Sequence, residues 1–108
     1  MQRSYTWETV TSLLAVDIGN TNITIGAFDG QELTATWRLA TRETRTIDEH
    51  AWALQGLLRS KNVEPGSFDA VVICSVVPPL TEVYVDALSA LANVEPLVIG
   101  PGIRTGIR

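Results

Sequence analysis

An apolar run that ends in a carboxylate and then in a tight polar turn is the feature that most constrains this chain. Residues 13–16 read Leu-Leu-Ala-Val, Asp17 follows, and Gly19, Asn20 and Thr21 come almost at once. A nearly continuous apolar run of this kind predicts a central strand that is buried on both faces. Asp17 then lies at the mouth of that strand, with open backbone beyond it.

The polar turn suits a phosphate and its metal. Gly19 lacks a Cβ and lets backbone N–H groups approach a ligand, and the short side chains of Asn20, Thr21 and Asn22 can donate hydrogen bonds to phosphoryl oxygens. Asp17 and a phosphate are both anions, so Asp17 can serve a phosphate only through a bridging cation such as Mg²⁺. The same residues also match a plain β-hairpin, because Gly-Asn between two apolar runs is a turn signal in its own right. The two interpretations are compatible, since the tip of a hairpin can itself carry a phosphate loop.

Length and composition limit the function classes. With 108 residues, 45% hydrophobic and 19% charged, the chain predicts one globular domain with a single core. A net charge of -4 and a pI near 4.8 argue against a nucleic-acid partner, and no apolar run is long enough for a membrane span. The one cysteine, Cys74, fits a reducing, cytoplasmic compartment and, within an apolar run, is expected to be a small buried hydrophobe. Residues 1–12 have no apolar core of a secretory signal and are interpreted as a lead-in segment.

The remaining pattern predicts a strand-rich opening followed by alternating helices and strands. Strands are expected at residues 13–17, 23–28, 33–39, 70–74 and 96–99, and helices near 47–62 and 79–92. Asp29-Gly30 is a hairpin signal, and strict alternation in the third strand places Leu33, Ala35, Trp37 and Leu39 on one face.

The first predicted helix opens with a capping box, Thr46-Ile47-Asp48-Glu49. His50, the only histidine, follows it and is expected at a solvated helix position. Three antiparallel strands followed by crossovers give an α/β fold, a five-stranded mixed sheet in the order 3-2-1-4-5 with helices packed on it. This is the ribonuclease H-like arrangement.

The ribonuclease H-like fold occurs in proteins with two unrelated chemistries, and the positions of the carboxylates in the sequence distinguish between them. A two-metal nuclease needs acids on the first strand, the first helix and the end of the fourth strand. Asp17 fits the first place and Glu49 the second, but the fourth strand ends in Cys74-Ser75 without an acid. An actin-like phosphotransferase instead needs an Asp and a polar hairpin turn at the first strand, and these are present.

Several segments, in order, together resemble the opening half of type III pantothenate kinase, a family of the actin-like ATPase superfamily. They are Asp17-Ile18-Gly19-Asn20-Thr21-Asn22, Phe28-Asp29-Gly30, Trp37-Arg38-Leu39-Ala40-Thr41, Arg45-Thr46-Ile47-Asp48-Glu49, Ser75-Val76-Val77-Pro78-Pro79-Leu80-Thr81 and Gly100-Pro101-Gly102-Ile103-Arg104-Thr105-Gly106.

The resemblance implies phosphoryl transfer from ATP to the 4′-hydroxyl of pantothenate, the first step of coenzyme A synthesis. It also implies Mg²⁺, a monovalent cation (K⁺ or NH₄⁺) and a homodimer in the full-length form. Carried over by position, Asp17 lies close to the metal, directly or through water. The ATP phosphates are expected to bind the segment made of Asp17, Ile18, Gly19, Asn20, Thr21, Asn22, Ile23 and Thr24.

The chain differs from the family pattern because its sequence ends before one of the family's motifs. A Gly-Ala-Asp-Arg motif supplies the family's catalytic Asp, and the sequence stops at Arg108 before such a motif, so no catalytic residue is assigned. Residues 13–100 are expected to be the N-terminal ATPase subdomain, and 101–108 the start of the connection to a missing C-terminal half. Such a fragment is expected to be inactive alone, with an exposed apolar surface where the other half packs. The alternative is a non-catalytic, kinase-like accessory, regulatory or interaction domain that keeps the fold.

Overall fold

The computed structural model describes residues 10–42 and 44–99. The strands are β1 (Ser12–Ile18), β2 (Asn22–Asp29), β3 (Glu32–Ala40), β4 (Ala70–Ser75) and β5 (Leu97–Ile99), and the helices are α1 (Ile47–Ser60) and α2 (Pro78–Ala92). A short 3₁₀ turn, Pro65–Ser67, precedes β4. Most of the predicted lead-in at 1–12 and the predicted connection at 101–108 lie outside the described residues.

The strands form one mixed sheet in the order β3-β2-β1-β4-β5, which confirms the predicted topology. β1 pairs antiparallel with β2 and parallel with β4. β2 pairs antiparallel with β3, and β4 pairs parallel with β5. β1 is therefore central in the sheet, and the crossovers that parallel pairing requires contain α1 and α2.

The helix ends follow local sequence signals. The predicted capping box at the start of α1 is confirmed, since the Thr46 hydroxyl accepts a hydrogen bond from Glu49 N (3.2 Å) and Glu49 Oε1 accepts one from Thr46 N (2.8 Å). α1 ends at Ser60, slightly before the predicted boundary, and Asn62 follows in the left-handed region at φ 62°. Asn93, at φ 57°, ends α2 in the same way. Neither helix of the described chain is long and apolar enough to cross a membrane.

Both helices pack on the same face of the sheet, which holds the hydrophobic core. From β1, the side chains of Leu14, Val16 and Ile18 lie in this core and are at most 1% exposed. The helices contribute the buried side chains Leu54, Leu58, Leu80, Tyr84 and Leu88. Full burial of one such aliphatic side chain stabilises the fold by about 1.5–3 kcal/mol, so alternate residues of the central strand determine which face receives the helices.

No described element covers the opposite face of the sheet. Leu13 and Ala15 are half-buried there and Asp17 is exposed, so the prediction that β1 is buried on both faces is wrong for the described chain. Cys74 lies on this open face and is exposed, so the prediction that it is a small buried hydrophobe is also wrong. The β1–β4 register pairs Cys74 with Asp17, which places both side chains on the uncovered side.

A β-bulge breaks the alternation predicted for β3. The register shifts between Ala27 and Phe28, so Ala27 pairs with Ala35 whereas Phe28 pairs with Leu33. The extra residue moves Leu33, which is 51% exposed, to the face opposite Ala35 and Trp37. A Cβ built on Gly26 would lie 3.2 Å from Leu33 Cδ1, which places Leu33 on the open face beside that glycine.

His50 corrects another prediction, because it is fully buried rather than solvated. Its Nδ1 lies 2.8 Å from the Tyr84 hydroxyl of α2, and its Nε2 lies 3.3 Å from the Arg42 carbonyl. A carbonyl oxygen can only accept, so Nε2 carries the proton and Nδ1 accepts from Tyr84. Both polar atoms of the ring are thus satisfied in the core, and the helical pattern alone did not reveal these partners.

Candidate functional site

The site is built where the central strand ends. Asp17, the next-to-last residue of β1, is exposed on the open face, and its neighbours in the sheet are Thr24 of β2 and Cys74 of β4. Thr24 in turn pairs with Arg38 of β3. Directly paired residues have Cβ atoms about 4.5–5.5 Å apart, so Arg38, Thr24, Asp17 and Cys74 form one continuous row of exposed side chains.

Beyond Asp17, a tight turn joins β1 to β2. Ile18 pairs with Ile23 at its base, and Gly19 N donates a hydrogen bond of 2.9 Å to the Asn22 carbonyl. A Cβ on Gly19 would lie 3.1 Å from that same oxygen, so the turn has room for a glycine and little more. The hairpin interpretation of these residues is therefore correct for the backbone.

The structure separates the predicted site residues into two groups. Asn20, Thr21, Asn22 and Thr24 are exposed at or near the tip, together with Asp17, whereas Gly19 is half-buried. The side chains of Ile18 and Ile23 are 0% exposed and point into the core, so only their backbone can face a ligand. The exposed group carries the oxygen and nitrogen atoms that could contact a polar ligand.

Thr41, which sequence reasoning did not assign to the site, holds the turn from the side of β3. Its Oγ1 donates to the Gly19 carbonyl at 2.8 Å, and its backbone N–H donates to the Thr21 carbonyl at 3.0 Å. The β2–β3 register explains the contact, because Asn22 pairs with Ala40 and the next residue of the chain must then reach the turn. A hairpin alignment of the two strands was the signal that could have found it.

The end of β4 is hydrogen-bonded to the end of β1, next to the turn. Val76 N donates to the Ile18 carbonyl at 3.0 Å, which joins the ends of the two parallel strands. Ser75 is buried, and its Oγ accepts from Val77 N at 3.1 Å, which shapes the turn into α2. The hydroxyl of Ser75 is thus hydrogen-bonded to the backbone and is not part of the exposed row that contains Asp17 and Cys74.

The electrostatics of the row centre on Asp17. Partial burial and the nearby Asp17 carboxylate both raise the pKa of the Cys74 thiol, so the thiol is neutral near pH 7. The row borders a shallow groove of about 340 Å³ on the open face, walled by Asp17, Thr24, Gly26, Leu33 and Cys74 among others. A small polar edge thus adjoins a larger apolar surface.

Metal ligation by the protein alone is not supported in the described residues, which contain no group of three or more His, Cys, Asp or Glu side chains suited to a metal. Glu49, the second acid of the two-metal alternative, has its carboxylate engaged in the α1 capping box. One exposed carboxylate beside a turn with polar tips instead fits a cation such as Mg²⁺, which takes most of its ligands from water and phosphate.

Solved structures with the same arrangement define the class of fold. A ROK hexokinase from Thermus thermophilus matches with a TM-score of 0.61 and 16% identity, covering 82% of this chain and 35% of that one. A protein from Bacteroides thetaiotaomicron with an actin-like ATPase fold and unknown function matches with a TM-score of 0.59 and 8% identity, covering 82% and 32%. Identities this low show the fold alone, which is the α/β, actin-like ATPase fold.

Sequence relatives then identify the family within that fold. The family model of type III pantothenate kinase matches residues 13–108. Relatives of that name from Dehalococcoides mccartyi (strain CBDB1) and Bifidobacterium longum (strain DJO10A) are 43% and 41% identical over 96 and 95 residues. The chain belongs to the type III pantothenate kinase family. The alignments cover 89% and 88% of the chain but 36% and 37% of the relatives, so it spans little more than a third of their length.

Proposed function

We propose that this chain is the N-terminal, phosphate-binding part of an ATP-dependent pantothenate kinase. The reaction is transfer of the γ-phosphoryl group of ATP to the 4′-hydroxyl of pantothenate, which opens coenzyme A synthesis. The observation that carries the proposal is the turn at the end of β1, where an exposed carboxylate adjoins polar tips inside the segment that matches the family model. The residues of the turn also suit a plain hairpin, so the proposal depends on the exposed carboxylate beside the turn together with the family match.

In this proposal the turn binds the phosphates and Asp17 faces their metal. Backbone N–H groups and the side chains of Asn20, Thr21 and Asn22 donate to phosphoryl oxygens. Asp17 holds Mg²⁺, directly or through a water molecule, and the ion supplies charge neutralisation to the phosphates when it is bound. Thr24 and the backbone of Ile18, Gly19 and Ile23 complete the segment.

The rest of the site is proposed to lie outside this chain. Residues 13–100 form one wall of the nucleotide cleft, residues 101–108 begin the connection to a C-terminal half, and residues 1–12 are a lead-in. The catalytic base, the monovalent cation site (K⁺ or NH₄⁺), the adenosine contacts and the homodimer interface belong to the longer, cytoplasmic protein. The apolar open face supports this division, since Leu33 and Leu97 are 51% and 39% exposed there and suit contact with a further protein layer.

A chimera tests the proposal directly. The matched N-terminal third of the Dehalococcoides mccartyi relative is replaced by residues 13–108, and phosphopantothenate is followed by mass spectrometry with ATP, Mg²⁺, K⁺ and pantothenate. We expect turnover by the chimera and none by the 108-residue chain alone, because phosphoryl transfer needs acceptor, phosphoryl group and base held in line.

Asp17→Asn in the chimera assigns the role of the carboxylate. Loss of a residue that orients a metal typically costs about 10–100-fold, and we expect that loss in kcat/KM for Mg·ATP, with a shifted Mg²⁺ dependence. Asp29→Asn is the matched control, because Asp29 is also an exposed aspartate of this hairpin but lies at the other end of β2. A folded chimera without turnover would favour the non-catalytic accessory domain, and turnover by the short chain alone would refute the half-site interpretation.

A further inference from the structure

Two backbone carbonyls near the end of β3, those of Ala40 and Arg42, have side-chain hydrogen-bond partners. Arg45 Nη1 donates to the Ala40 carbonyl at 3.2 Å, and His50 Nε2 donates to the Arg42 carbonyl at 3.3 Å. Thr41 lies between these two fixed carbonyls. His50 is itself held in the core by the Tyr84 hydroxyl, so one of the two carbonyls beside Thr41 is bonded to a core side chain.

Thr41 in turn holds the β1–β2 turn through hydrogen bonds. It donates two hydrogen bonds, one from Oγ1 to the Gly19 carbonyl and one from its N–H to the Thr21 carbonyl. In a planar trans peptide, the C=O and the N–H point in opposite directions. Fixing the Gly19 carbonyl therefore directs the Asn20 N–H away from Thr41, and fixing the Thr21 carbonyl does the same for the Asn22 N–H.

The Asn20 N–H makes no hydrogen bond to another residue of the described chain, and Asn20 is exposed at the tip of the turn, whereas the Gly19 N–H and the Gly19 and Thr21 carbonyls are bonded. An N–H that is aimed but not used is what an anion site needs, because donors that are already oriented require no rearrangement when the ligand arrives. The hydroxyl of Thr41 donates its hydrogen to the Gly19 carbonyl, so that hydrogen is not available to the ligand.

We propose that Thr41 is a positioning residue of the phosphate turn, which it holds through the two carbonyls so that the Asn20 N–H is aimed at a phosphoryl oxygen. This inference rests on the proposed function for the identity of the ligand. It assigns no chemistry to Thr41, and it makes the buried His50 and the Arg45 side chain supports of the nucleotide site. A threonine after the strand and a histidine in the core are thereby connected to the turn.

The variants separate the hydroxyl from the rest of the side chain. Thr41→Val keeps the shape and the N–H but removes the bond to Gly19, and Thr41→Ser keeps the hydroxyl. Thr34→Val is the matched control, because Thr34 Oγ1 also donates to a backbone carbonyl, Ala27 O of β2 at 3.0 Å, but lies near the opposite end of β3 from Thr41. Thermal unfolding of all variants reports whether they fold.

Two measurements on the ¹⁵N-labelled 108-residue chain then decide the proposal. In a titration with Mg·ATP, we expect the Asn20 amide to shift in the unsubstituted chain, with affinity about three- to tenfold weaker in Thr41→Val, the change that follows from one lost hydrogen bond. Thr41→Ser and Thr34→Val should bind as the unsubstituted chain does. Without ligand, the Gly19 amide should exchange its hydrogen about three- to tenfold faster in Thr41→Val alone.

The outcomes distinguish the inference from the proposed function. Equal affinity for Mg·ATP in Thr41→Val and in the unsubstituted chain would overturn the positioning role and leave the proposed function standing. No amide shift in the unsubstituted chain would count against phosphate binding by this chain, and the exchange rates would then decide by themselves whether Thr41 holds the turn. Faster exchange in Thr34→Val as well would show a general loosening of the sheet and overturn the inference.

Discussion

The buried His50–Tyr84 pair makes the stability of this protein depend on pH in a predictable direction. Burial lowers the pKa of His50 below the ordinary value of 6.5, and it outweighs the hydrogen bond to the Arg42 carbonyl, which raises the pKa. The Arg45 charge lowers the pKa further, and the Glu49 charge raises it slightly. Burial also raises the pKa of Tyr84 above its usual range, so the tyrosine stays neutral. Protonation of His50 would place a charge in the core and turn Nδ1 from an acceptor into a donor toward the Tyr84 hydroxyl.

The sign of the effect follows from which state binds more protons. Between pH 6.5 and the lower pKa of the folded state, the unfolded chain takes up a proton that the folded chain refuses, so stability falls as the pH falls. The contribution of His50 is fully present above pH 6.5 and is lost below it. One proton corresponds to about 1.4 kcal/mol per pH unit, so from pH 7.0 to 5.5 the free energy of unfolding should decrease by at most about 1.3 kcal/mol.

Urea denaturation at several pH values between 5.5 and 8 measures this decrease, and His50→Gln is the comparison because glutamine does not titrate. His50 is the only histidine of the chain, so the difference in slope between the two proteins belongs to it. The slopes are compared rather than the absolute stabilities, since the variant also changes packing. Identical slopes, or a histidine NMR titration with a pKa above 6.5, would refute the stated environment of His50.

Other substitutions test the remaining contacts. Thr46→Ala should lower the free energy of unfolding by about 1 kcal/mol in urea denaturation, because it removes the capping box of α1. Leu54→Ala should cost about 2–5 kcal/mol by the same measurement, whereas Trp52→Ala on the same helix, at a side chain 77% exposed, should change it by less than about 0.5 kcal/mol. Asp17→Asn should speed the alkylation of Cys74 by iodoacetamide at pH 8, because it removes a charge that raises the thiol pKa. Equal alkylation rates would place the two side chains further apart than the sheet register indicates.

Strand order and helix positions could be predicted because local signals and connection rules point to the same topology. The Gly30 hairpin, with φ of 63°, requires β2 and β3 to be antiparallel neighbours. The helical segments between the later strands then allow parallel pairing on the other side of β1. Each of these steps depends on residues close together in the chain, where sequence patterns are informative.

The predictions that were wrong or missing concern residues whose contacts are made with residues distant in the chain. The alternation in β3 looked regular, but one bulge opposite Phe28 reversed the direction of Leu33. His50 looked solvated, because neither Tyr84 nor the Arg42 carbonyl can be placed beside it by a helical period. Thr41 looked like the end of a strand, and its contact with Gly19 follows only from the register of the hairpin.

The open face of the sheet explains why the prediction that β1 is buried on both faces is wrong beside Asp17. Apolar runs in β1 and β4 predict burial on both faces, and Leu13, Ala15 and Val72 do have apolar side chains on the side that no described element covers. The same face carries the row that contains Asp17 and Cys74, so the apolar surface and the polar edge adjoin each other. A second protein layer on this face would bury the apolar part and exclude water beside Asp17, where charge interactions grow stronger as the local dielectric falls. Apolar side chains on an uncovered face, next to a polar edge, gave a wrong prediction of burial. The same combination is expected on one wall of a closed cleft.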